Sequence, residues 1–152
     1  MDYKEQLSAI KGTSEVKYND LPQNVKARED FRYICEQSNF TVTTNLNVYS
    51  LIKNSMKVAE VALTALDLKK GVTTIPAEYV NISDAKAFVG VVCYTDGTPV
   101  NVLLITSVLF AHPKKFVKLN KKKGEYIIKV KNLEKEYIKK HTFGVVVEQF
   151  WK

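Results

Sequence analysis

At 152 residues, with 45% apolar and 26% charged side chains, the chain is long enough to bury a hydrophobic core and too apolar for a disordered tail. No apolar run approaches the roughly 18 residues of a membrane span, and Met1 to Glu5 lack the basic start and apolar core of a secretion signal. The expectation is one cytoplasmic domain over 1–152 with no membrane partner, in the host cytoplasm or in the virion if the protein is viral.

Residues 1–20 are mostly polar and read as an N-terminal arm, with Leu7 and Ile10 on one face of a short helix that Gly12 would end. Leu21-Pro22 suits a helix start, because proline in the first turn loses no hydrogen bond, and Asp20 can cap it. Val25, Phe31, Ile34 and Cys35 have helical spacing, so a first helix is predicted over 22–37, ended by Ser38-Asn39. Phe40 to Thr44 is β-branched and reads as a short strand or extended linker.

Leu46, Tyr49, Ile52, Met56, Ala59, Leu63 and Leu66 recur every three or four residues, and Val48, Leu51, Val58, Ala62 and Ala65 form a second stripe. This predicts a helix over 45–69, buried on more than one side, capped by Asn45 and closed by Gly71. The character then turns to β. Strands are predicted at 72–75, at 88–94 and, after the Asp96-Gly97 turn, at 100–110. A second hairpin joins 116–119 to 125–131 through Lys121-Lys122-Lys123-Gly124. Leu133 to Lys140 suits a short helix, and Phe143 to Phe150 a last strand centred on Val145-Val146-Val147. The fold class read from this order is α+β, with helices at about 22–37 and 45–69 packed on an antiparallel sheet over about 72–150. Over 86–150 the order of strands, short helix and last strand is similar to the five-stranded OB barrel. That resemblance implies an OB-like sheet of the kind that holds single-stranded nucleic acids.

Catalytic and cofactor signals are weak. His112 and His141 are the only histidines, and with Cys35 and Cys93 they lack the spacing of a metal site or a nucleophile–base pair. The two cysteines are expected to be reduced, buried thiols. No glycine-rich phosphate loop occurs. Glu60, between apolar neighbours, reads as the polar edge of the 45–69 helix. No enzyme, no cofactor and no metal are expected.

Charge is the informative feature. Between Pro113 and His141 stand eleven lysines and three glutamates; eleven minus three leaves +8, against +7 for the whole chain. The remainder is close to neutral. Such asymmetry points to a polyanionic partner. The candidate contacts are Lys114, Lys115, Lys118, Lys121, Lys122, Lys123, Lys129, Lys131, Lys139 and Lys140. Lysine acts as a point charge, so phosphate contacts with little sequence choice are expected. Phe110, Phe116, Tyr126, Tyr137 and Phe143 are interleaved, and any that shared a groove with the lysines could stack on bases. The competing reading turns these aromatics inward, with Tyr126, Ile128 and Val130 on a core face, and leaves lysines as solvated guards of strand edges. Phe150-Trp151 must dock on the core or on a partner.

The sequence therefore favours a non-enzymatic nucleic-acid-binding accessory protein of a phage or mobile element. It would bind sequence-nonspecifically, with a single strand the expected ligand. The alternatives are a structural or assembly protein such as a virion component, self-associating or meeting an acidic protein surface, and an inhibitor acting by protein contact.

Overall fold

The computed structural model describes residues 22–45, 48–111, 117–129 and 142–148. Helix α1 runs from Gln23 to Gln37, one residue from its predicted start, and Pro22 stands at its N-cap. Ala27, Asp30, Phe31, Ile34 and Cys35 are buried, a spacing of three and four residues that turns one face inward. The C-terminus closes on Asn39 at φ 69°. Phe40 N–H donates to Cys35 O at 3.0 Å and Asn39 N–H to Glu36 O at 3.1 Å, the pairing of a Schellman cap.

Eight strands follow: β1 (Thr41–Asn45), β2 (Val48–Lys53), β3 (Met56–Asp67), β4 (Val72–Pro76), β5 (Ala87–Thr95), β6 (Thr98–Thr106), β7 (Val117–Asn120) and β8 (Glu125–Lys129). They form two sheets, one of five strands in the order β1-β2-β3-β5-β6 and one of three in the order β4-β8-β7. Every pairing is antiparallel except β3 with β5, which is parallel. A parallel neighbour needs a crossover. The crossover here contains β4, which joins the small sheet on the way. Thr73 Oγ1 donates to Ala65 O at 2.7 Å and Thr64 Oγ1 to Thr74 O at 3.0 Å, stitching β4 to β3. Helix α2 (Phe143–Glu148) follows a bridge between Thr142 and Leu103 at the β6 edge.

The large sheet is buried on both faces. Toward the helices point Tyr49, Leu51, Ala59, Val61, Val92, Tyr94, Val102 and Leu104, which pack with Phe31, Ile34 and Phe143. Phe31 meets Tyr49 and Phe143 edge-on, with ring centroids at 5.6 and 6.2 Å. Toward the small sheet point Ala62, Leu66, Val89, Val91, Cys93, Leu103 and Ile105, against Ile75, Val117, Tyr126, Ile128 and Phe110. The result is three layers: helices, large sheet, small sheet. Each fully buried aliphatic or aromatic side chain contributes about 1.5–3 kcal/mol of transfer free energy.

The α+β class stands, but several predicted elements do not. The helix predicted over 45–69 is the β2–β3 hairpin. A strand apolar on both faces shows two stripes, and Ala59, Ala62, Leu63, Ala65 and Leu66 are strong helix formers. The Asn54-Ser55 turn, with both residues at positive φ, breaks the run. The strand predicted over 143–150 is helix α2, because Phe143, Val146 and Val147 bury at helical spacing while Val145 faces out. The strand predicted over 100–110 ends at Thr106 and passes into a 3-10 turn over Ser107–Ala111. The predicted single sheet over 72–150 is divided, with β4, β7 and β8 apart from β5 and β6. The element order behind the OB resemblance is therefore not found: the described part of 86–150 ends in a helix and contributes to two sheets. Glu60 lies on β3 instead of a helix and pairs with Lys57 at 3.5 Å. The proposed N-terminal arm and the helix over 133–140 lie outside the described residues.

Candidate nucleic-acid interface

The small sheet has one buried face and one open face. Inward go Ile75 on β4, Val117 on β7, and Tyr126 and Ile128 on β8. Tyr126 packs edge-on against Phe110, with centroids 5.2 Å apart. The period of two then fixes the outward residues: Val72, Thr74 and Pro76 on β4, Glu125, Ile127 and Lys129 on β8, and Lys118 and Asn120 on β7. The predicted division of β8 into a core face and a lysine face holds over 125–129, with Tyr126 and Ile128 inside.

Of the ten candidate lysines, the structure places five on this hairpin. Lys118 is exposed on the open face and pairs across the ladder with Ile127. Lys129, half-buried, is its diagonal neighbour on β8, about 7–8 Å away by sheet geometry. Lys121, Lys122 and Lys123 form the exposed tip. Gly124 closes the tip at φ 62°, and its carbonyl accepts from Ala77 N–H at 2.9 Å, which ties the tip to the end of β4. Lys123 N–H reaches Asn120 Oδ1 at 3.4 Å. Lys114, Lys115, Lys131, Lys139 and Lys140 lie outside the described residues.

Ion pairs among the described residues include Arg32–Glu36 at 3.5 Å, Lys57–Glu60 at 3.5 Å and a close Lys69–Asp96 contact. None involves the hairpin. Glu125 shares the open face but bridges to none of the five. A net of four positive charges, five lysines less Glu125, thus lies on this hairpin without ion-paired carboxylates among the described residues.

Three of the five aromatics expected beside the lysines are turned into the cores. Phe110, Tyr126 and Phe143 are buried in the two cores, and Phe116 and Tyr137 lie outside the described residues. Among the described residues Tyr33, Tyr79 and Phe88 are half-buried and the other aromatic side chains are buried.

Other chemistry-bearing groups are dispersed. Cys35 and Cys93 are free thiols on opposite faces of the large sheet. Burial pushes Cys35 well above the usual thiol range, with Glu36 adding to the shift, and pushes Cys93 up to about 12. Neither is poised as a nucleophile. Asp30 is fully buried on the inner face of α1, where Tyr94 Oη donates to its Oδ2 at 2.5 Å. A shallow cleft of about 330 Å³ between Gln23, Thr64, Asp67, Lys70 and Thr73 holds threonine hydroxyls already bonded to backbone. Sequence reasoning missed both the cleft and the Asp30–Tyr94 pair, since only the fold brings their members together. His112 and His141 lie outside the described residues, as does Phe150-Trp151. Among the described residues no three His, Cys, Asp or Glu side chains gather as a metal site, and no helix is long and apolar enough to cross a membrane. In comparisons with known proteins, no family model and no curated protein matches this sequence.

Proposed function

We propose that the chain is a non-enzymatic nucleic-acid-binding protein that captures phosphates through the lysines of the β7–β8 hairpin and the flanking lysine-rich sequence. The observation that supports this most is the set of five lysines gathered on one hairpin, without carboxylate partners among the described residues, whereas Arg32, Lys57 and Lys69 are each paired with an acid. Each lysine that meets a phosphate releases condensed counterions, so affinity comes from charge and falls steeply with salt. Lysine ammonium groups do not read base edges bidentately as arginine does, so little sequence preference follows.

The test is fluorescence anisotropy with a labelled oligonucleotide at low and at moderate salt. Binding at low salt that weakens by orders of magnitude on adding salt supports the reading. Absence of binding at low salt overturns it and directs the lysine side to an acidic protein surface, as in a virion component or an inhibitor.

A further inference from the structure

We infer that the nucleic acid this hairpin takes is a duplex, held across its two phosphate rows, in place of the single strand expected from the sequence. The inference rests on the nucleic-acid reading above and narrows it.

Single strands are held by pairing a basic groove with aromatic platforms on which bases stack. Among the described residues, the open face of the small sheet carries no such platform. Tyr126, central in the lysine hairpin, points away from the open face and packs on Phe110. Phe143 packs on Phe31 in the other core. The open face presents Val72, Thr74, Pro76, Glu125, Ile127, Lys129, Lys118 and Asn120, with no aromatic ring among them. What remains is charge. A surface that binds by charge alone favours the ligand with the denser charge: a duplex carries one phosphate per roughly 1.7 Å of axis and returns about 0.9 counterion per contact, against about 0.7 for a single strand. Five contacts make that difference about one released ion, or about tenfold in affinity at low salt.

The spacing agrees. Lys129 lies four to five residues along the ladder from the Lys121–Lys123 tip, about 14–17 Å at strand rise. The major groove of a duplex is about 12 Å wide, and lysine side chains can close the difference. The two ends of the hairpin can therefore meet phosphates of opposite strands. A lone strand offers a single row.

The experiment compares a 20-base-pair DNA duplex with one of its own strands, by anisotropy on the full chain at fixed low salt. The expected result is duplex binding about tenfold tighter. Loss of affinity for both ligands, by about tenfold or more, is expected in the K121Q/K122Q/K123Q variant, whose changes lie on an exposed turn. Equal or tighter binding of the single strand overturns the duplex inference while the nucleic-acid reading stands. No binding of either overturns both. Duplex preference that the triple variant leaves intact places the site elsewhere and overturns the inference as well.

Discussion

Individual residues hold the layers in register. Gly90 lies on β5 facing the helices, between β3 and β6. A Cβ placed there would come within 2.7 Å of Val61 Cγ1 and 3.1 Å of Leu63 Cδ1. Val61 is β-branched and fully buried, so it cannot swing aside. Gly90→Ala is expected to cost about 1–3 kcal/mol by overpacking, read as a lower urea midpoint at unchanged slope. The Tyr94–Asp30 bond ties α1 to β5 inside the core; Tyr94→Phe removes this hydrogen bond to a buried carboxylate and should cost about 1–3 kcal/mol in the same assay. The thiols set a pH limit. Both have folded pKa values above the ordinary thiol value near 9, so the native state holds these protons more tightly than the unfolded chain. Stability from this source is complete below about pH 9 and is lost as pH rises toward 12. Thermal melts between pH 8 and 11 should show a falling midpoint, and the double variant Cys35→Ala, Cys93→Ala should fall less steeply despite a lower starting point. Equal slopes would show that the thiols do not carry the effect. The sequence suggested buried thiols, but neither the crowding over Gly90 nor the Asp30–Tyr94 contact, 64 positions apart, was legible in it.

At the scale of elements, two hairpins of the large sheet teach the same lesson from opposite sides. Each has a two-residue connection with both residues at positive φ: Asp96-Gly97 at 51° and 78°, Asn54-Ser55 at 53° and 63°. This is the type I′ signature that matches strand twist. Asp-Gly announces it, and β5–β6 was legible. Asn-Ser does not, because serine rarely enters the left-handed region, and the flanking strands were read as one helix. Ser55→Gly should relieve that strain and raise stability by about 0.5–1 kcal/mol, measured by urea unfolding; a loss would show that Ser55 makes a contact the backbone argument omits. The β2–β3 run misled for a second reason. A central strand covered on both sides needs apolar residues at nearly every position, and periodicity then no longer separates strand from helix. Helix α2 failed the other way: three consecutive valines favour strand locally, yet Phe143, Val146 and Val147 gain more by docking beside Phe31 than a strand there would return. Helix α1, strands β4, β5 and β6, and the β7–β8 hairpin were readable because each carried its own stop signals: Ser38-Asn39, Pro76, Asp96-Gly97 and Gly124.

Across the whole molecule, charge and packing are segregated. Helices cover one face of the large sheet, and the small sheet covers the other while turning its own far side to solvent. Part of the lysine excess, evident in the sequence as a count, stands in the fold on a single hairpin with Val117, Tyr126 and Ile128 turned inward. The same inward turn buries Tyr126, and Phe110 and Phe143 are buried as well, three of the rings that the sequence left open. The account's central claim is that this hairpin binds phosphates by charge. The most direct measurement is the slope of log affinity against log salt for an oligonucleotide duplex, wild type beside K121Q/K122Q/K123Q. Each lysine–phosphate contact contributes about 0.9 to the slope. The account predicts a wild-type slope at least as steep as about −4, from the five hairpin lysines, and a variant slope shallower by about 3. A variant slope equal to that of the wild type, or a wild-type affinity indifferent to salt, would contradict it.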